Sequence, residues 1–315
     1  MRGTNGPGQI GALPAHAANA VTYRHLSLLE VLEMSDAFDL ARYFQRIGYT
    51  GPREATLDVL SRIHALHPLA IPFENLNPIR ELAVHVDLPS VVAKLIDGGR
   101  GGYCFEQNLI FATALKHLGF DVTPMIGRVV WGRSFDAEAG QTHMLLRVAL
   151  EGETWLADVG FGSVTLTAPL RLHSTQPQET PLETYRLATA PDGEFHLSVQ
   201  SADKWLPVYR FVTRPAEWVD YKLGNWFTST APDSVFRNNL ILTRALPHGR
   251  LAVLNTRLTE RNTRGEAIGE SEIASAAQLE QLLRDRFGLN VTQIDIDDLF
   301  RRVQACAAKA AAAAN

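Results

Sequence analysis

Cys104 stands in Gly99 to Asn108, G-R-G-G-Y-C-F-E-Q-N, where a glycine-rich run gives way to a helical pattern. A cysteine placed so is suited to nucleophilic chemistry. The thiolate is the attacking species, and the positive end of a helix dipole favours it without any charged neighbour. In a first helical turn the N–H of Cys104 is left free, a candidate donor to an oxyanion, and the preceding glycines permit a sharp bend and close approach of a substrate. The plainer reading is a buried cysteine packed as a small hydrophobe. A cysteine nucleophile also needs a base and an acid that orients the base, brought together by the fold. His143 opens T-H-M-L-L-R-V 39 residues further on, and Asp158 closes W-L-A-D-V 15 residues after that. With Glu151-Gly152 between them, an antiparallel hairpin would set His143 beside Asp158. Taken singly, a strand histidine facing solvent and an aspartate capping a strand end are equally ordinary.

These residues need elements to carry them. Leu57, Leu60 and Ile63 recur at helix spacing, and Pro68 falls where that helix should have ended. A second helical stretch covers Ser90 to Ile96 and stops at Gly98-Gly99. The third starts near Cys104, carries Phe105, Leu109, Ala112, Leu115 and Leu118 on one side, and closes on Lys116, His117 and Gly119. From Phe120 the texture changes to short alternating runs rich in Val, Thr and aromatics, separated by turns such as Pro191-Asp192-Gly193. Five or more antiparallel strands there indicate a small barrel or sandwich. Beyond Pro215, V-F-R-N-N-L-I-L-T and R-L-A-V-L-N-T-R-L read as strands, and Leu279, Leu282, Leu283 and Phe287 as a helix before Gly288. The expected division is an extension over 1–34 with a short apolar run from Leu26, helices over 35–119, a barrel over 120–213 and an α/β part over 214–315.

Composition narrows the classes. A chain of 315 residues, 46% hydrophobic, has material for two or three domains and a large core. Thirty Lys and Arg against 34 Asp and Glu, with no long run of one sign, favour neither nucleic acid nor an anionic membrane surface. No stretch reaches the roughly 18 apolar residues of a membrane span. No continuous apolar segment of signal length opens the sequence, so the cytoplasm is the expected compartment and Cys104 and Cys306 are expected as thiols. His64 and His67 share a helix face but lack the further ligands of a zinc site, so they read as a surface pair, and no metal is expected. G-F-G at Gly160 to Gly162 is not a dinucleotide fingerprint, and no P-loop is present. Glu74 and Arg100 are expected to form an ion pair holding the cysteine loop.

Six segments then carry a resemblance: Y-F-Q-R-I-G-Y (43–49), A-I-P-F-E-N-L (70–76), R-G-G-Y-C-F-E-Q-N (100–108), T-H-M (142–144), D-V-G-F-G (158–162) and S-V-F-R-N-N-L (234–240). In this order and spacing the sequence resembles the arylamine N-acetyltransferase family. The resemblance implies an α+β fold with a cysteine-protease-like catalytic core: an N-terminal helical domain, an antiparallel β-barrel domain and a C-terminal α/β lid. It implies Cys104 as nucleophile, His143 as base and Asp158 as its orienter. Acetyl-CoA would acylate the thiol and CoA would leave. An aromatic amine or hydrazine would then attack the thioester, a ping-pong route associated with xenobiotic metabolism. Such an enzyme must keep water from the acyl-cysteine, so an apolar pocket is expected, with Phe73, Phe161 and Phe227 as walls and Thr142 as a further substrate contact. CoA is expected along the cleft between barrel and lid, beside Gly160 and Gly162. The extension before Tyr43 is longer than the family usually carries, and Trp226-Phe227 lies where members vary. Two rival readings remain, a papain-like or transglutaminase-like cysteine hydrolase and a binding module of the same fold without activity. The sequence does not specify an oligomeric state.

Overall fold

The structure, a computed structural model, describes residues 38–314; the extension assigned to 1–34, with its apolar run from Leu26, lies outside the described residues. The first helix, α1 (Leu40–Ile47), starts where the Asp39 carboxylate accepts the N–H of Ala41 and ends at Gly48 in the left-handed conformation. Helix α2 (Leu57–Ala70) is capped by Thr56. It runs through Pro68 rather than ending before it. Pro68 lies in the last turn, so the missing N–H costs one internal bond, and the N–H of Ile71 still reaches the carbonyl of His67 at 2.8 Å. After β1 (Phe73–Glu74) and α3 (Leu76–Ile79), helix α4 (Leu88–Val92) widens into a π-helical turn over Ala93–Asp97 and stops at Gly98.

Helix α5 (Cys104–His117) is the centre of the molecule, with every residue from Cys104 to Leu115 buried. Its polar residues Glu106, Gln107, Asn108 and Thr113 are as inaccessible as its leucines. Buried polar groups must be hydrogen-bonded, and those on α5 organise the site described below.

The segment from Phe120 is a barrel, one of the two architectures its alternation indicated and the one the family resemblance implied. Among the described residues it comprises β2 (Asp121–Val129), β3 (Gln141–Leu150), β4 (Glu153–Ala157), β5 (Leu170–Arg171), β6 (Gln178–Glu179), β7 (Thr184–Thr189), β8 (Phe195–Ser201) and β9 (Lys204–Phe211), in the spatial order β5-β4-β3-β2-β9-β8-β7-β6. The two edges meet through one side chain: the amide of Gln178 donates to the carbonyl of Arg171 at 3.0 Å and accepts its N–H at 2.7 Å. Met125, Leu145, Leu156, Tyr185, Leu197, Tyr209 and Phe211 fill the interior.

The C-terminal part departs further from the sequence reading. Helix α6 (Trp218–Thr230) was not anticipated because its polarity is inverted: Val219, Leu223 and Trp226 face outward while Gly224, Asn225, Thr228 and Ser229 are buried. V-F-R-N-N-L-I-L-T is not one strand. The hydroxyl of Ser234 accepts the N–H of Phe236 and starts a short helix, α7 (Val235–Asn238), and only then does β10 (Ile241–Leu246) begin. R-L-A-V-L-N-T-R-L is two strands, β11 (Gly249–Leu254) and β12 (Arg257–Arg261), reversed at Asn255, whose φ is +54°. With β13 (Ala267–Glu272) they form a second antiparallel sheet in the order β1-β10-β11-β12-β13. Its first strand comes from the N-terminal segment, Phe73 facing Thr243 and Glu74 facing Leu242. Helix α8 (Ala276–Gln281), a π-helical turn to Arg286 and α9 (Ile296–Ala314) complete the chain. Among the described residues no helix is long and apolar enough to cross a membrane.

Candidate active site

Cys104 is the first residue of α5 and only 5% exposed. The carboxylate of Glu106 accepts the N–H of Tyr103 at 3.1 Å and closes the helix start. Lys94 donates to that carboxylate at 2.7 Å, and Arg100 donates to the fully buried Glu74 at 2.7 Å, the ion pair expected from the sequence. The glycines of the loop serve packing rather than substrate access. A Cβ on Gly101 would lie 2.1 Å from the carbonyl oxygen of Pro72, and one on Gly102 would lie 2.7 Å from the Glu106 carboxylate. A side chain at either position would push the loop off its support.

His143 lies on β3, and Asp158 directly follows β4. The β3–β4 hairpin pairs Leu146 with Ala157, so the two residues emerge at the same end of the ladder. There His143 Nε2 meets Asp158 Oδ2 at 2.7 Å, with His143 2% exposed and Asp158 fully buried. The thiol of Cys104 lines the same cavity as the imidazole and donates to the carbonyl of the neighbouring Thr142 at 3.5 Å. Burial by itself would lower the pKa of His143. The charge of Asp158 and the hydrogen bond to it, with the nearby Cys104 sulfur, outweigh burial and push the imidazole up to about 10. For Asp158 burial works upward, and it is overcome by His143, by Asn108 and by the Gly160 N–H, which hold the carboxyl below its usual range. An arrangement of this kind can supply a sulfur nucleophile, a basic imidazole and a carboxylate that orients the imidazole.

Residues the sequence reading passed over hold this constellation in place. Asn108, one turn after Cys104, donates to Asp158 Oδ1 at 2.8 Å and to the carbonyl of Met144 at 2.7 Å, and accepts the N–H of Val159 at 3.0 Å. Tyr209 packs its ring against His143 with centroids 4.8 Å apart. His64 and His67 are not a surface pair: both have no exposed surface. His67 donates from Nε2 to Gln107 at 2.6 Å and accepts from the hydroxyl of Tyr43 at 2.9 Å, while the Gln107 amide donates to the carbonyls of Pro72 and Gly102. His64 Nε2 accepts the N–H of Asp158 at 3.1 Å. The i, i+3 spacing was legible, but the buried partners come from distant segments that no local pattern connects.

A cavity of about 460 Å³ opens over the thiol. Phe73, Thr142, Gly160, Phe161 and Phe227 line it together with Cys104 and His143, as do Trp131, Phe236, Arg133 and Asp233, which the sequence reading did not select. Phe161 stands edge-on to His143 at 5.3 Å, and Phe73 packs on Phe236 at 5.8 Å. Gly160 has no room for a side chain, since a Cβ there would sit 2.8 Å from the Cα of Cys104. Gly162 is not among the lining residues; at φ +93° it lies behind the ring of Phe73, 3.1 Å from where its Cβ would be.

The N-acetyltransferase family model matches residues 56–296. The arylamine N-acetyltransferase of Escherichia coli (strain K12) is 39% identical over 253 residues, covering 80% of this chain and 89% of that protein. The Mycolicibacterium smegmatis arylamine N-acetyltransferase is 39% identical over 271 residues, covering 85% and 98%. The structure of Mycobacterium marinum arylamine N-acetyltransferase in complex with CoA superposes with a TM-score of 0.80 at 37% identity, covering 84% of this chain and 98% of that one. A helix-borne cysteine against a barrel-borne histidine and aspartate, a family match over most of the chain and the shared fold lead to one conclusion: the chain belongs to the arylamine N-acetyltransferase family and is an acyltransferase.

Proposed function

We propose that this enzyme moves an acetyl group from acetyl-CoA to aromatic amines and hydrazines by way of an acetyl-Cys104 thioester. The observation that carries the reading is His143 hydrogen-bonded to Asp158 at 2.7 Å and lining, together with the Cys104 thiol, one largely apolar cavity. In the first half-reaction His143 takes the thiol proton and the sulfur attacks the thioester carbonyl. The oxyanion forms beside the N–H of Cys104 at the start of α5, and as the intermediate collapses the imidazolium returns its proton to the departing CoA sulfur. In the second, the amine nitrogen attacks acetyl-Cys104 and gives up a proton to His143, and the cysteine sulfur leaves. The CoA-bound relative supports CoA as the acyl carrier, and its curated relatives support an arylamine as acceptor.

Aromatic walls favour transfer over the hydrolase alternative, because water reaching acetyl-Cys104 would waste the intermediate. The deciding experiment is intact-mass measurement after brief exposure to acetyl-CoA without amine. A single acetyl group at Cys104, absent in Cys104→Ala and passed to an added arylamine, is the expected result. Release of free acetate with no acetylated amine would instead make the protein a hydrolase.

A further inference from the structure

His64 is a buried titratable group bonded to the Asp158 backbone that the mechanism does not use. It lies on α2 with no exposed surface, accepts the N–H of Asp158 on Nε2 at 3.1 Å, and has no hydrogen-bond partner at Nδ1 among the described residues. A ring nitrogen that accepts carries no proton, so His64 is the neutral tautomer with hydrogen on Nδ1. Three groups face it: the Asp158 carboxylate, His67 one turn along its own helix, and the ring of Phe111 from α5, edge-on at 5.4 Å. Burial holds its pKa down to about 4, with Asp158 pulling the other way, and the ring stays neutral near pH 7. A side chain needed only for bulk here would be apolar. What the imidazole adds is an acceptor aimed at one peptide.

That peptide is the critical one. The β3–β4 ladder ends at the Leu146–Ala157 pair, so Asp158 begins the irregular segment, where its buried N–H takes a side-chain acceptor. Asn108 and the Gly160 N–H fix the carboxylate itself. His64 fixes the main chain from which that carboxylate projects. We propose that His64 is a positioning residue of the acyl-transfer site, holding the Asp158 peptide so that the carboxylate meets His143 in line with Cys104. This rests on the reading of Cys104, His143 and Asp158 given above.

The test uses the full chain with His64→Leu, which removes the acceptor, and His64→Gln, whose amide oxygen can replace Nε2. The rate of Cys104 alkylation by iodoacetamide is followed by peptide mass spectrometry from pH 5 to 9, with Cys306 in the same sample as reference. In His64→Leu the Cys104 rate at pH 6 should fall at least tenfold and its pH profile should move upward, while Cys306 is unchanged; His64→Gln should recover most of the loss. A folded His64→Leu with the wild-type profile overturns the proposal, as does a folded His64→Gln no better than Leu. Should His64→Leu fail to fold, nitrogen-15 NMR of the wild-type ring decides: hydrogen on Nδ1 between pH 5 and 8 supports the assignment, and hydrogen on Nε2 refutes it. Wild-type Cys104 reacting no faster than Cys306 would overturn the underlying nucleophile reading instead, and so separates the two failures.

Discussion

Asp158 uses both carboxylate oxygens and its N–H: one oxygen on His143, the other on Asn108 and the Gly160 N–H, and the N–H on His64. Its charge is what keeps the imidazole basic. Asp158→Asn keeps the shape and removes the charge, so acetyl transfer at pH 7 should fall by roughly two to four orders of magnitude. Steady-state kinetics beside a melting curve checks this; a folded variant with near wild-type turnover would show that the carboxylate is not needed. At this scale the sequence was informative about which side chains meet, because a thiol at a helix start and two residues 15 apart across a turn are compatible with the juxtaposition of Cys104, His143 and Asp158 that the structure shows. It was uninformative about His64 and His67. Burial of a histidine depends on acceptors and donors elsewhere, here Asp158, Tyr43 and Gln107, and nothing in L-S-R-I-H-A-L-H announces them.

Helix α2 carries two neutral buried imidazoles, with pKa values held by burial to about 4 for His64 and about 3 for His67. Unfolded, both would titrate near 6.5. Below that pH the unfolded chain binds the extra protons, so stability drains away as pH falls from 6.5 toward 4, by up to about 1.4 kcal/mol per pH unit for each histidine. His143 has the opposite sign: its contribution is complete below 6.5 and is lost as pH rises through about 10. Urea midpoints should therefore decline on both flanks, and His67→Gln should flatten the acid flank; an unchanged acid slope would show that His67 is not held neutral. Among the elements, apolar spacing made α2 and the barrel strands readable, and the basic last turn before Gly119 made α5 readable although it is buried on all sides. Helix α6 was hidden because most of its apolar residues, Tyr221 apart, point to solvent and its small polar ones inward, where Asn225 bonds the hydroxyl of Tyr103 and the carbonyl of Val84.

Across the whole molecule, the barrel and the second sheet are joined by an ion pair that no local pattern reveals. Arg250 on β11 donates to Glu183, just before β7, at 2.5 and 2.6 Å and also reaches the carbonyl of Thr165, and both side chains are nearly inaccessible. Burial of both ions is costly, and removing one partner leaves the other uncompensated. Arg250→Met should lower stability by about 3–5 kcal/mol, and Arg250→Met with Glu183→Leu should recover most of it. Denaturant titration of the single and double variants tests this, and equal losses would mean the charges do not compensate one another.

The two-residue strand β1 has a mechanical consequence. Phe73 is a wall of the cavity, Glu74 anchors the loop before the thiol, and both are laced to β10. Nothing can displace the second sheet without dragging that wall and the nucleophile's support along, so this flank of the binding chamber is stiff. Accommodation of acceptors of different bulk then falls to lining residues outside that flank, such as Trp131 and Phe227, which remain 39% and 48% exposed.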